Sequence, residues 1–170
     1  MSQTMALEIG EPHGMPDWSA ITERLRRMAM ALTRSCDDAD DLVQQTLVTL
    51  LAKQPDRMSH TGYARQTMIR IWLDQQRSLR RRLRRVARLA LTTGTWHTDQ
   101  DRLSMSDQHD RVRRAMDTLP PRQRAAVVLR LVEELDYDEI ATALDCSVQS
   151  VRASLHLGRY RVRRLVGEAS

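Results

Sequence analysis

The sequence predicts an all-α protein of two small helical domains joined by a flexible linker, and three observations predict it. Phe is absent and aromatics make up 4% of the chain, so the core has to come from Leu, Val, Ala, Met and Ile. Those residues, with abundant Arg, favour helix over strand. Gly and Pro are scarce, at six and five in 170 residues. Apolar positions recur three and four apart along most of the chain, the period of one helix face. With 41% hydrophobic and 29% charged residues, the chain has enough apolar material for a core and enough charge for a soluble surface.

Residues 1–16 hold glycines, prolines and no helical period, and read as a flexible leader. From Asp17, a first helix places Ile21, Leu25, Met28 and Leu32 on one face. Ser35-Cys36-Asp37-Asp38 breaks that period with side chains suited to an N-cap and an acidic first turn. A second helix follows, with Leu42, Val43, Leu47, Leu50 and Leu51 assigned to one side, and it ends before Pro55. Residues 54–62 read as a loop. A third helix runs from about Tyr63 to Leu91, with Ala64, Met68, Ile71 and Trp72 as core contacts. This first domain spans 17–91. Residues 92–107 are polar and rich in Thr, Ser and Asp, the expected linker.

The second domain, 108–170, opens with Val112, Ala115, Met116 and Leu119 on a helix stopped by Pro120-Pro121. Arg122 to Leu131 forms the next helix, and Glu133 to Asp136 its polar exit. Two helices split by a tight turn close the chain, Tyr137 to Leu144 and Val148 to about Val166. This pair fits a helix-turn-helix. Ile140 and Ala141 supply the apolar and small residues of the first helix, and Asp145-Cys146-Ser147 the turn. Val148, Val151 and Leu155 are the anchors of the second, and the inward series continues through Gly158, Val162 and Leu165. Gln149, Arg152, Ala153 and His156 then face outward, where a recognition helix meets the major groove, and Ser147 is the expected N-cap. Asp145 occupies the turn position that usually holds Gly, and Asp tolerates the left-handed region better than most residues.

The net charge is +5, but residues 17–91 alone carry 15 basic against 8 acidic side chains, while 92–170 balance at 12 against 12. The excess concentrates in Arg77-Ser78-Leu79-Arg80-Arg81-Arg82-Leu83-Arg84-Arg85-Val86-Ala87-Arg88, seven Arg in twelve positions. A localised cationic stripe is a footprint for polyanions, and the planar guanidinium binds phosphate bidentately. The acids Asp37, Asp38, Asp40 and Asp41 read as N-terminal helix charge or a contact for a basic partner; no calcium loop or nearby His favours a metal. Cys36 and Cys146 lack metal-ligand spacing and suit a reducing cytosol. The five His are scattered, with no nucleophile-and-base pairing or phosphate loop, so no enzyme, cofactor or small-molecule substrate is expected. No signal peptide or membrane span is expected either.

Two blocks resemble a known family, the extracytoplasmic-function sigma factors of the sigma-70 family. The segment Asp38-Ala39-Asp40-Asp41-Leu42-Val43-Gln44-Gln45-Thr46-Leu47 resembles their region 2.2, and Tyr63-Ala64-Arg65-Gln66-Thr67-Met68-Ile69-Arg70 through Arg77 resembles the −10 reading segment. Leu119-Pro120-Pro121-Arg122-Gln123-Arg124 and Glu139-Ile140-Ala141 through Leu155 resemble region 4. The resemblance implies that Asp40, Asp41 and Gln44 bind the β′ clamp helices of core RNA polymerase, with the β flap as a further contact. It implies that the 54–62 loop receives a flipped −10 base, with Tyr63, Arg65, Arg70, Asp74, Arg77, Arg80 and Arg81 on or beside that DNA. For the −35 element it implies Ser147, Gln149, Ser150, Arg152, Ala153 and His156. Gln45, Leu47, Tyr63, Arg70 and Ser154 depart from the usual family residues, so promoter sequences do not transfer. Placing two readers on a flexible linker makes the second contact effectively intramolecular. It also lets an inhibitor hold the domains apart from a promoter, so an anti-sigma partner is expected. The rival reading, an ordinary helix-turn-helix regulator, predicts self-association and operator binding without polymerase.

Overall fold

The computed structural model describes residues 17–33, 35–53, 61–90 and 107–167, and among these described residues there are seven helices and no strand. The expected leader, residues 54–60 of the expected loop, Leu91 at the expected end of the third helix and residues 92–106 of the expected linker lie outside them. Helix α1 (Trp18–Leu32) starts where Asp17 accepts the Ala20 N–H at 3.0 Å, and it buries the expected face together with Ala29. Helix α2 (Cys36–Lys53) starts at Ser35, whose hydroxyl accepts the Asp38 N–H at 3.0 Å. Helix α3 (Thr61–Ala90) begins at Thr61, inside the expected loop, because nothing after Pro55 forbids helical dihedrals. These three helices pack on one another around Leu25, Met28, Leu32, Leu42, Leu50, Met68, Ile69 and Trp72. Ile71, expected in the core, is half-buried, and its neighbours Ile69 and Leu73 take the interior instead.

Helices α4 (Asp107–Asp117), α5 (Pro121–Leu131), α6 (Tyr137–Leu144) and α7 (Val148–Gly167) form a second group. Pro121 sits in the first turn of α5, where a missing N–H costs nothing. Helix α7 lies against α4, α5 and α6. Gly158 makes the approach possible: a Cβ there would meet Val127 Cγ2 at 2.8 Å, with the Gln123 carbonyl and Leu119 close behind. Val127 is β-branched and cannot swing away. Gly158→Val is therefore expected to destabilise the protein by about 1–3 kcal/mol through overpacking, measured as a lowered urea midpoint. Val112 and Leu165, both expected inside, are partly exposed at the rims of this packing.

The two groups are not separate. Six consecutive residues of α5, Arg124 to Leu129, are buried. A helix buried all round has neighbours on every side, and here α7 covers one side while α1 and α3 cover another. Arg124 spans the junction, donating to the Leu32 carbonyl at 3.2 Å and pairing with Asp117 at 3.0 Å. Gln66 of α3 donates to the Thr142 carbonyl of α6 at 3.0 Å. Glu133, expected in a polar exit, is instead 3% exposed and paired with Arg24 and Arg65. The loop carrying it folds back onto the first group rather than into solvent.

Candidate functional site

Burial of Ala39, Leu42, Val43, Thr46 and Leu50 turns the opposite side of α2 to solvent. Thr46 is admitted to the interior because its hydroxyl donates to the Leu42 carbonyl at 2.7 Å. Asp41 and Gln44 stand exposed as expected, and Asp40 is exposed but tethered to Arg26 at 3.3 Å. The same face continues into Val48 and Leu51, which are 64% and 59% exposed. Leu51 was expected in the core. Its three-and-four spacing from Asp41, Gln44 and Val48 also fits the outer stripe, which is acidic at one end and apolar at the other.

Along α3, Tyr63, Arg70, Asp74, Arg77, Arg81 and Arg88 follow a helical spacing that puts them on one side. Tyr63 is half-buried and the others are exposed, with Asp74 and Arg77 paired at 2.9 Å. Arg80 is exposed on the flank of this stripe. Arg65 does not share it. Its position falls near the core-facing side, where it is largely buried and held by Glu133 at 3.4 Å. Beyond Gln76 every described side chain of α3 is exposed, including Leu79, Leu83 and Val86, which prolong the Met68–Trp72 face past the end of the bundle.

The helix pair α6–α7 has the geometry that its sequence promised. Asp136 and Glu139 form a reciprocal capping box, at 2.8 and 2.9 Å. Asp145 takes φ 50° and ψ 60°, the left-handed conformation that ends α6 and turns the chain. Ser147 caps α7 by accepting the Ser150 N–H at 3.2 Å, and the two hydroxyls lie 2.9 Å apart. Ile140, Val151 and Leu155 are buried, so Ser147, Gln149, Ser150, Arg152, Ala153 and His156 all face solvent. Burial pushes the Cys146 thiol up, Arg122 opposes this and Asp145 adds to it.

Next to this face runs a groove of about 460 Å³ lined by Tyr137, Arg152, Leu155, His156, Arg159, Tyr160 and Arg163. The Tyr137 ring lies within cation–π range of two guanidiniums, Arg130 at 5.8 Å and Arg152 at 5.7 Å. Arg159, Tyr160 and Arg163 were not among the sequence candidates. The series Arg152, His156, Arg159, Arg163, spaced four, three and four, would have pointed to them.

Residues 109–162 match the family model of sigma-70 region 4, and residues 20–73 match that of the Sigma2 domain of PhyR. The chain is 30% identical over 178 residues to the ECF RNA polymerase sigma factor SigE of Mycolicibacterium smegmatis, covering 95% of this chain and 66% of that protein. It is 27% identical over 151 residues to the ECF sigma factor EcfG of Rhodopseudomonas palustris, covering 88% and 83%. The chain belongs to the extracytoplasmic-function group of the sigma-70 family. Among solved structures it resembles the sigma factor RpoE of Bartonella quintana, co-crystallised with the anti-sigma factor NepR. That likeness has a TM-score of 0.66 at 22% identity over 88% of this chain and 93% of that one, and it is a likeness of fold.

In this sigma-family chain the region 4 match takes in α5, α6, most of α4 and the first three quarters of α7, while the Sigma2 match ends at Leu73, before the Arg run of α3. The exposed stretch 77–88 is therefore outside both matches. Sigma-70 proteins are transcription initiation factors and not enzymes. No group of three or more His, Cys, Asp or Glu among the described residues is placed to hold a metal ion. No helix among them is long and apolar enough to cross a membrane.

Proposed function

We propose that this chain binds core RNA polymerase in the cytoplasm, directs it to promoters and helps melt them, and is held inactive by an anti-sigma factor. The observation that carries the reading is one chain presenting both an exposed acidic-to-apolar stripe on α2 and a helix-turn-helix with a solvent-facing polar and cationic helix. Residues 17–91 act as region 2 and 108–170 as region 4, with 92–107 the linker and 1–16 a leader. Asp40, Asp41 and Gln44, continued by Val48 and Leu51, dock the β′ clamp helices. Tyr63, Arg70, Asp74, Arg77, Arg80 and Arg81 meet the −10 DNA, and Arg65 joins them once released from Glu133. Ser147, Gln149, Ser150, Arg152, Ala153 and His156 read the −35 element, and region 4 also meets the β flap. The anti-sigma partner is inferred from the fold neighbour, which was co-crystallised with an anti-sigma factor.

Arginine contacts to phosphate supply affinity and salt dependence, whereas groove contacts supply sequence choice. Adding the protein to sigma-free core polymerase, followed by run-off transcription from a genomic promoter library, tests the proposal. New start sites support it. Sharp footprints from the protein alone, without initiation, would favour the regulator reading. The groove gives a finer prediction. Arg159→Ala and Arg163→Ala are each expected to reduce the slope of log K against log salt for promoter binding by about one, leaving sequence preference unchanged, as read by salt titration of the holoenzyme.

A further inference from the structure

Glu133 is the charged group that the proposed function leaves unexplained. It lies in the turn between α5 and α6, and its carboxylate is 3% exposed. A buried carboxylate without partners is costly, and its two partners come from the other helical group. Arg24 of α1 donates to Glu133 Oε2 at 2.8 Å across 109 residues, and Arg65 of α3 reaches the same oxygen at 3.4 Å across 68.

The turn is built to present it. Glu134 is held at φ 55°, a conformation that a non-glycine residue keeps only where its surroundings impose it. The Leu135 N–H closes onto the Leu129 carbonyl at 3.2 Å, and Arg130 donates to the Leu135 carbonyl at 2.7 Å. Around the pair, Arg124 donates to the Leu32 carbonyl and Gln66 to the Thr142 carbonyl, so four side-chain bonds cross the same seam.

We propose that Arg24 and Arg65 form a carboxylate-binding site on region 2 whose resting occupant is the chain's own Glu133, latching region 4 onto region 2 in an autoinhibited state. This rests on the sigma reading above. The latch withdraws Arg65 from −10 DNA, and it holds α6, the first helix of the −35 reader, against α3. A protein whose binding-competent state is a small fraction of the population shows an affinity reduced by that fraction. Opening therefore requires a partner that competes for the seam, or core polymerase drawing the two groups apart.

Cys36 lies in the first group and Cys146 in the second, and both thiols are free. Nitroxides on these two native thiols allow pulsed EPR to read the separation in the full chain. Wild type is expected to give one narrow, short distance. Glu133→Arg, which sets a cation against Arg24 and Arg65, is expected to give a broad, longer distribution. It should also tighten binding of the free protein to a promoter fragment from the run-off library by about tenfold or more. The charge swap Arg24→Glu/Glu133→Arg is expected to restore most of the short distance. Arg24→Glu alone, at a partly exposed side chain, opens the latch without placing a new charge in region 4, which covers the case of a Glu133 variant that fails to fold. Narrow distances in both single variants at native helicity would overturn the latch. So would opening without any gain in DNA affinity, or no rescue by the swap. Run-off transcription by the wild-type protein tests the sigma reading separately, and the EPR arm needs no promoter.

Discussion

Asp40→Arg/Asp41→Arg is expected to abolish promoter-directed run-off transcription while leaving the fold intact. Both carboxylates are on the outer side of α2, away from the buried Ala39, Leu42 and Val43. Among the described residues the tie lost is Asp40 to Arg26, with both side chains about half exposed, and such a pair contributes under about 1 kcal/mol. Asp37 and Asp38 remain in the first turn to complement the helix N-terminus. Across an interface the effect is of another size. Setting like charge against a basic partner surface costs several kcal/mol, and every 1.4 kcal/mol is tenfold, so affinity for core polymerase should fall by about a thousandfold. Fluorescence anisotropy with labelled protein measures that affinity, and circular dichroism checks helicity. Undiminished core binding by a folded variant would remove α2 as the polymerase contact.

Trp72→Ala is expected to destabilise the protein by about 3–5 kcal/mol. Trp72 is 1% exposed and is among the largest fully buried side chains, on the face of α3 that packs against α1 and α2. A loss of that size is a large share of the roughly 5–15 kcal/mol that holds a domain folded. The internal control is Leu83→Ala, three turns along the same face. Leu83 is 58% exposed, so its truncation should cost no more than about 0.5 kcal/mol. Urea unfolding followed by circular dichroism distinguishes the two. Similar losses at both positions would mean that the second half of α3 is covered in solution.

These two residues show where sequence reading succeeds and where it stops. The period of α3 puts Trp72, Leu79, Leu83 and Val86 on one face, but periodicity states which residues share a face and not what covers it. Leu51 fails for the same reason: its spacing fits the inner stripe of α2 and the outer one almost equally, and the packing of α1 and α3 decides between them. The turn, the Ser147 cap and the anchors Val151 and Leu155 of the helix-turn-helix were legible, because their determinants are local. Leu165, expected inside, is partly exposed, and the Asp136 cap lies in the expected polar exit. Asp136 and Glu139 cap α6, Asp145 turns left-handed and Ser147 caps α7, each within three or four residues of its partner.

Sequence by itself determined the helical class, the order of the elements, the left-handed turn with its Ser147 cap, and the outward face of α7. Each follows from interactions within one or two helical turns. Tertiary structure alone decided the burial of α5 on all sides, the withdrawal of Arg65 from its DNA-facing neighbours, and the capture of Glu133. Its partners are 68 and 109 residues away, and an acid in a polar turn has the same local pattern whether the turn meets water or two arginines of another helical group.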